Sequence, residues 1–191
     1  MRKLPVGLVV LRGLLGPMIL VACLQGWSSS WTIGMLAVAF VSDVLDGVVA
    51  RRLEVATARL RLADSLTDTF FYLCVAIGCF LAYPEVWRRY KAGVLLIAVL
   101  EAGRWIFDLV KFGKVASYHM WSAKLWGITL FLGFGEVLAR GAAGLLFAAA
   151  VGVGVVTEVE GLMASVLLPT WRHDVASVWH AWTLRRAGAA G

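Results

Sequence analysis

Residues Ser42 to Phe70 read SDVLDGVVARRLEVATARLRLADSLTDTF. Apolar sequence lies on both sides of this stretch, yet it holds four aspartates: Asp43, Asp46, Asp64 and Asp68. Asp43 and Asp46 are three residues apart, and Asp64 and Asp68 are four apart. On helices each pair projects from one face, because neighbours on a helix surface recur at three and four residues. Arg51, Arg52, Arg59 and Arg61 mark a short polar turn between the pairs. The two helices are therefore expected to run antiparallel as neighbours, with their acidic faces able to meet.

The surrounding chain sets the solvent. Of 191 residues, 61% are hydrophobic and 16% charged, with a mean hydropathy of +0.83, whereas soluble domains carry about a quarter charged residues. This composition implies an integral membrane protein of all-α class, a bundle of six transmembrane helices with an interfacial C-terminal helix. A span needs about 20 apolar residues. Six runs qualify: Leu4 to Gly26, Trp31 to Ala50, Leu60 to Tyr83, Ala92 to Val110, Ser122 to Leu138 and Ala142 to Leu168, the fifth being short and containing Lys124 and Glu136. The basic start MRKLP resembles a signal peptide, but the apolar run that follows is too long and lacks an A-x-A-like site, so it reads as a retained first span. No linker or repeat divides the chain, which reads as one domain over residues 1–191.

Charge orients the bundle. Of the 18 Lys and Arg, twelve fall on the side that holds both termini, four on the other, and Arg12 and Arg104 within spans. Cytoplasmic loops carry the basic excess, so both termini are expected in the cytoplasm. The same rule accounts for the net charge of +6 without a nucleic-acid partner. Cys23, Cys74 and Cys79 sit in apolar runs and read as small core residues. Gly127, Gly133, Gly135, Gly152 and Gly154 on the late spans read as sites of close helix packing.

Asp43 precedes Arg51 by eight residues, which places it about 12 Å inside the cytoplasmic boundary at about 1.5 Å per residue. An aspartate at a helix centre costs about 2.5–3.5 kcal/mol on insertion scales. Four together therefore require a positive or wet partner. Hard divalent cations bind carboxylate oxygens, and two metals about 3.5–4 Å apart can share four carboxylates. Mg²⁺ completes its shell with water and substrate phosphate, so an acidic cage at a membrane surface asks for a phosphate-bearing ligand. Gly47 and Ala50 leave room beside the helix for such a ligand, and Arg51 offers a planar donor to phosphate. Taken singly, these three also fit ordinary helix packing and the positive-inside rule.

The pattern Asp43-x2-Asp46-Gly47-x2-Ala50-Arg51-x8-Leu60-x3-Asp64-x3-Asp68 resembles the hallmark of the CDP-alcohol phosphotransferase family, matching seven of its eight fixed positions. The six expected spans and the early LRGLLGP, with Arg12 and Pro17, are also similar to that family. Leu60 departs from the pattern, standing where the family has its second glycine and placing a branched side chain where the nucleotide approaches the backbone. The resemblance implies a membrane transferase with a two-metal Mg²⁺ or Mn²⁺ site. In it Asp43, Asp46, Asp64 and Asp68 are metal ligands, Asp68 is also the general base, and Gly47, Ala50, Arg51 and position 60 line the CDP pocket. It further implies CDP-diacylglycerol or another CDP-alcohol as donor, a small alcohol acceptor, CMP as product, and a homodimer in the membrane.

The acceptor side stays open. KFGKVASYHMWSAK, between the fourth and fifth spans, holds Lys111, Lys114, His119 and Lys124 on the side of the aspartates. These residues suit an acceptor phosphate, and equally suit topology and anionic headgroups. In the fourth span Arg104 can bind an acceptor phosphate, or pair with Glu101 or Asp108 at helical spacing. Glu158 and Glu160 are two residues apart and cannot both face one partner. In the tail, Val175, Val178, Trp179 and Trp182, followed by Arg185 and Arg186, fit an interfacial helix better than a metal site built from His173 and His180. Glycerol 3-phosphate, an inositol phosphate, serine or an unphosphorylated alcohol are all admissible acceptors, and so is diacylglycerol with a CDP-linked small alcohol as donor. A divalent-cation transporter is the competing class, but it predicts acids spread through the membrane depth, whereas these four crowd toward one face. An intramembrane prenyltransferase would need a second, distant aspartate motif.

Overall fold

Pro84 separates two helices. It lacks an N–H and its ring disfavours a helix running into it, yet it suits a first helical position. Accordingly α3 (Ala58–Ala82) ends just before it and α4 (Pro84–Phe112) begins on it. Glycines in the left-handed conformation close three others: Gly26 (φ 67°) follows α1 (Leu4–Leu24), Gly113 (φ 71°) follows α4, and Gly141 (φ 65°) follows α5 (Trp121–Arg140). A Cβ is strained at such a φ, which is why glycine ends helices there. α2 (Ser29–Arg52), α6 (Leu145–Leu167) and α7 (Val178–Gly188) complete the set. The computed structural model describes residues 4–52, 58–116, 118, 120–172 and 175–188, with side chains for all of these except 4–5, 46–52, 58–62 and 187–188. Among the described residues there are seven helices and no strand.

The helices pack as two units. Unit 1 is Met1–Arg88 with Phe134–Ala143, and unit 2 is Arg89–Gly133 with Gly144–Gly191. In unit 1, α1 lies against both α2 and α3. Leu15, Ile19 and Ala22 of α1 are buried, as are Leu36 and Ala39 of α2 and Phe71, Val75 and Cys79 of α3. The approach of α1 to α3 is set by two glycines. A Cβ on Gly16 would lie 3.2 Å from the Phe71 Cα, and one on Gly78 would lie 3.1 Å from the Leu20 Cα. Between helices in lipid no hydrophobic force acts, so such close van der Waals contact is what holds them. The opposite face of α1 exposes Val10, Leu14, Met18 and Val21, as a helix apolar all round does in a bilayer.

In unit 2, a Cβ on Gly133 would meet the Phe147 Cα at 3.0 Å, and one on Gly154 would meet Trp126 Nε1 at 2.7 Å. These two late glycines have the packing role expected of them, whereas a Cβ added at Gly127 or Gly152 would meet no other side chain or helix within 4 Å. The C-terminal helix α7 packs on α6. Ala181 lies in a buried cluster with Met120, Ala164, Leu168 and Val175.

Among the described residues, four helices are long and apolar enough to cross a membrane: Val6–Leu24 of α1, Ala63–Ala82 of α3, α5, and α6. Of the other two expected spans, α2 is apolar over the shorter Ser29–Leu45 among the described residues. α4 is 29 residues long, but Glu101, Arg104 and Asp108 lower its hydropathy. It also starts earlier than expected: Glu85 and Arg88, read as loop, are helical and paired with each other.

Candidate functional site

Gly16 brings α1 close to α3, and Arg12, one turn earlier on α1, is 2% exposed. Its Nη1 lies 3.1 Å from Asp43 Oδ1 on α2 and donates to Asp64 Oδ1 on α3 at 3.0 Å. It also donates to Asp68 Oδ1, one turn further along α3. The acidic faces of α2 and α3 thus converge, as the spacing predicts, and they converge on a guanidinium supplied by a third helix. Three hydroxyls on these helices are bonded to their own backbones. Ser42 Oγ donates to Ala39 O at 2.7 Å, Thr67 Oγ1 to Ala63 O at 2.8 Å and Thr69 Oγ1 to Ser65 O at 3.1 Å.

One oxygen from each of Asp43, Asp64 and Asp68 lies within 4.8 Å of the others. An all-oxygen, anionic donor set suits a hard divalent cation such as Mg²⁺ or Mn²⁺. Among the described side chains three carboxylates face one guanidinium, an excess of acids that suits a cation. The Asp side chains are 33–43% exposed while Arg12 is 2% exposed. The carboxylates are therefore reachable by a ligand, and Arg12 is not. The side chains of Asp46, Gly47, Ala50, Arg51 and Leu60 lie outside the described residues.

The residues expected at the acceptor belong to unit 2. Arg104 Nε is 3.4 Å from Glu158 Oε2 on α6. Its Nη1 is 3.8 Å from Asp108 Oδ2 and donates to Ala116 O at 3.4 Å. Asp108, fully buried, accepts the Ala116 N–H on Oδ2 at 3.2 Å. The pairing of Arg104 with Asp108 is one of the two open readings, and Glu158 is a partner that α4 alone did not reveal. Gly161 makes room for this arginine, since a Cβ there would lie 3.0 Å from Arg104 Cδ. Glu160 faces elsewhere, accepting the Val178 N–H at 3.1 Å, as two-residue spacing requires. Lys114 Nζ lies 3.8 Å from the ring centre of Trp171 and Lys124 Nζ 4.3 Å from that of Trp121. His119 and His173 lie outside the described residues.

The residue that sequence reasoning underused is Arg12, noted there as part of a motif and as a basic residue within a span, but given no partner. Its signal was available: an arginine inside a membrane span requires an anionic partner, and this stretch of chain offers four. No curated protein and no solved structure matches the chain. With the converging aspartates of α2 and α3 goes the match of a family model to residues 2–183, and the chain belongs to the CDP-alcohol phosphatidyltransferase family.

Proposed function

We propose that this protein transfers a phosphatidyl group from CDP-diacylglycerol to the hydroxyl of a small polar alcohol and releases CMP. Membership of a transferase family supports the reaction class. The observation that carries the reading is the meeting of Asp43, Asp64 and Asp68 within 4.8 Å on the Arg12 guanidinium. On this reading those three and Asp46 hold Mg²⁺ or Mn²⁺, as a two-metal site, while Gly47, Ala50, Arg51 and Leu60 border the cytidine diphosphate. The cation, when bound, supplies charge neutralisation to the diphosphate.

The chain's own residues do the rest. Asp68 accepts the proton of the acceptor hydroxyl. The alcohol oxygen bonds to the phosphorus that carries the diacylglycerol, and the bond from that phosphorus to CMP breaks, with the electron pair leaving on the CMP phosphate. Arg12 holds the carboxylates of Asp64 and Asp68 in place by hydrogen bonds from the buried side. Arg104, read as an acceptor-phosphate ligand or as a salt-bridge partner, is engaged by Glu158, Asp108 and a carbonyl, which supports the salt-bridge reading.

The chain is further read as a single membrane-embedded domain of six spans with both termini cytoplasmic, working as a homodimer. The twelve-to-four bias of basic residues supports the orientation. The test is incubation of the purified full-length protein with CDP-diacylglycerol, Mn²⁺ or Mg²⁺ and a panel of alcohols, following CMP and lipid product by mass spectrometry. Cation-dependent CMP release with one alcohol is the expected result. Release only from a CDP-linked small alcohol with diacylglycerol present would reverse donor and acceptor, and no CMP from any pair would end the reading.

A further inference from the structure

One end of unit 2 gathers basic and aromatic side chains from segments far apart in the chain. Lys111, at the end of α4, donates to Ser165 O and Val166 O at the end of α6, each at 2.9 Å. Tyr118 is hydrogen-bonded to Ser165 at 3.1 Å. Trp171 Nε1 donates to Val115 O at 3.2 Å, and the Trp121 N–H, opening α5, donates to Ala176 O at 3.2 Å. Leu184 of α7 packs against the buried cluster of Met120, Ala164, Leu168, Val175 and Ala181. The ends of α4, α5 and α6, the loop after α4 and the whole of α7 are therefore one surface.

That surface is positive and has a repeated construction. Lys111, Lys114, Lys124, Arg172, Arg185 and Arg186 are all exposed. Three of the cations lie over indoles contributed by different segments: Lys114 over Trp171 at 3.8 Å, Lys124 over Trp121 at 4.3 Å, and Arg186 over Trp182 at 3.8 Å. Two acids on these elements are engaged within the unit. Asp108 is fully buried and Glu160 is bonded to the Val178 N–H. The positive charge is left facing out.

We propose that this end of unit 2 is a docking surface for anionic phospholipid headgroups, with Lys114, Lys124 and Arg186 as the headgroup contacts. Charge complementarity selects an anion, since ammonium and guanidinium groups bond phosphate oxygens with charge assistance. The indoles select a lipid over a dissolved anion. Trp121 and Trp179 are 69% and 70% exposed, an arrangement that gains nothing from free phosphate but is satisfied at headgroup level, where the ring is buried and its N–H is wet. Each cation also stays on its ring while its outer face meets phosphate, so headgroup binding costs little side-chain ordering.

The test uses the full-length protein in detergent. Phosphatidylglycerol and phosphatidylcholine of matched chains are titrated in, and retained lipid is counted by native mass spectrometry. Wild type is expected to retain phosphatidylglycerol selectively. The triple variant Lys114→Gln, Lys124→Gln, Arg186→Gln should lose that preference by roughly fivefold per charge removed, while Lys114→Arg with Lys124→Arg should keep it. Equal retention of both lipids by wild type would overturn the proposal, as would unchanged selectivity in the triple variant. Displacement of phosphatidylglycerol by equimolar inorganic phosphate or glycerol 3-phosphate would also overturn it, by showing a free-anion site instead.

Discussion

Arg12 on α1 donates a hydrogen bond to Asp64 on α3 at 3.0 Å, across a separation of 52 residues. Because the same Nη1 also contacts Asp43 and Asp68, one guanidinium stands where three carboxylates would otherwise repel one another. Arg12→Gln should lower the stability of the cation-free protein by about 1–3 kcal/mol, less than for a fully buried pair because the acids are partly exposed. Mn²⁺ should restore more of the thermal stability of the variant than of wild type, since the cation then has three unshielded carboxylates to neutralise. Matching melting temperatures for variant and wild type in EDTA would mean that Arg12 does not hold the cluster.

The two roles given to Asp68 separate by measurement. Asp68→Asn keeps an oxygen ligand but removes the base, so CMP release should fall by at least about 100-fold while Mn²⁺ binding, followed by electron paramagnetic resonance, persists. Asp43→Asn, which removes one of the three converging charges, should weaken Mn²⁺ binding itself. Full turnover in Asp68→Asn would assign the base elsewhere.

Leu60 stands where the family pattern has glycine. If position 60 borders the nucleotide as proposed, Leu60→Gly should lower the KM for the CDP donor with little change in kcat, because it removes a branched side chain from that approach and alters no aspartate. An unchanged or raised donor KM would show that position 60 does not border the nucleotide.

The glycines of α1 and α2 predict opposite outcomes when a side chain is added. At Gly16 an added Cβ would press on the Phe71 backbone at 3.2 Å, so Gly16→Val should destabilise by about 1–3 kcal/mol and displace Arg12 from Asp64 and Asp68. At Gly34 nothing lies within 4 Å, and Gly34→Ala should stabilise by up to about 1 kcal/mol through helix propensity. Thermal unfolding of the two variants side by side decides the point; similar shifts would show that α1 and α3 are not in close contact at Gly16.

In unit 2, Arg104 is set against two buried acids, Glu158 at 3.4 Å and Asp108 at 3.8 Å. Arg104→Met leaves both carboxylates without their guanidinium and should cost about 3–5 kcal/mol. Glu158→Gln removes one charge, keeps a polar group and should cost less. If the two variants unfold at the same temperature, Arg104 is not the counter-charge of both acids.

Much of this was legible in local sequence. Hydropathy is a property of a run of residues, and a helical face is a property of spacing, so the membrane setting, the helices and the shared face of Asp64 and Asp68 followed from neighbours in the chain. The helix ends were read to within a few residues, except at the start of α4, where Pro84 begins a helix through charged residues that resemble a loop. The partners of charges were not legible in the same way. A lone arginine in a span announces that it needs an acid, but which acid depends on how helices are rotated and how closely they approach, and those are set by contacts such as Gly16 with Phe71. Hence Arg12 at the centre of the aspartates, Glu158 beside Arg104, and Trp171 under Lys114 emerged from packing alone: each joins residues more than 30 positions apart, where spacing along one helix carries no information about its neighbour.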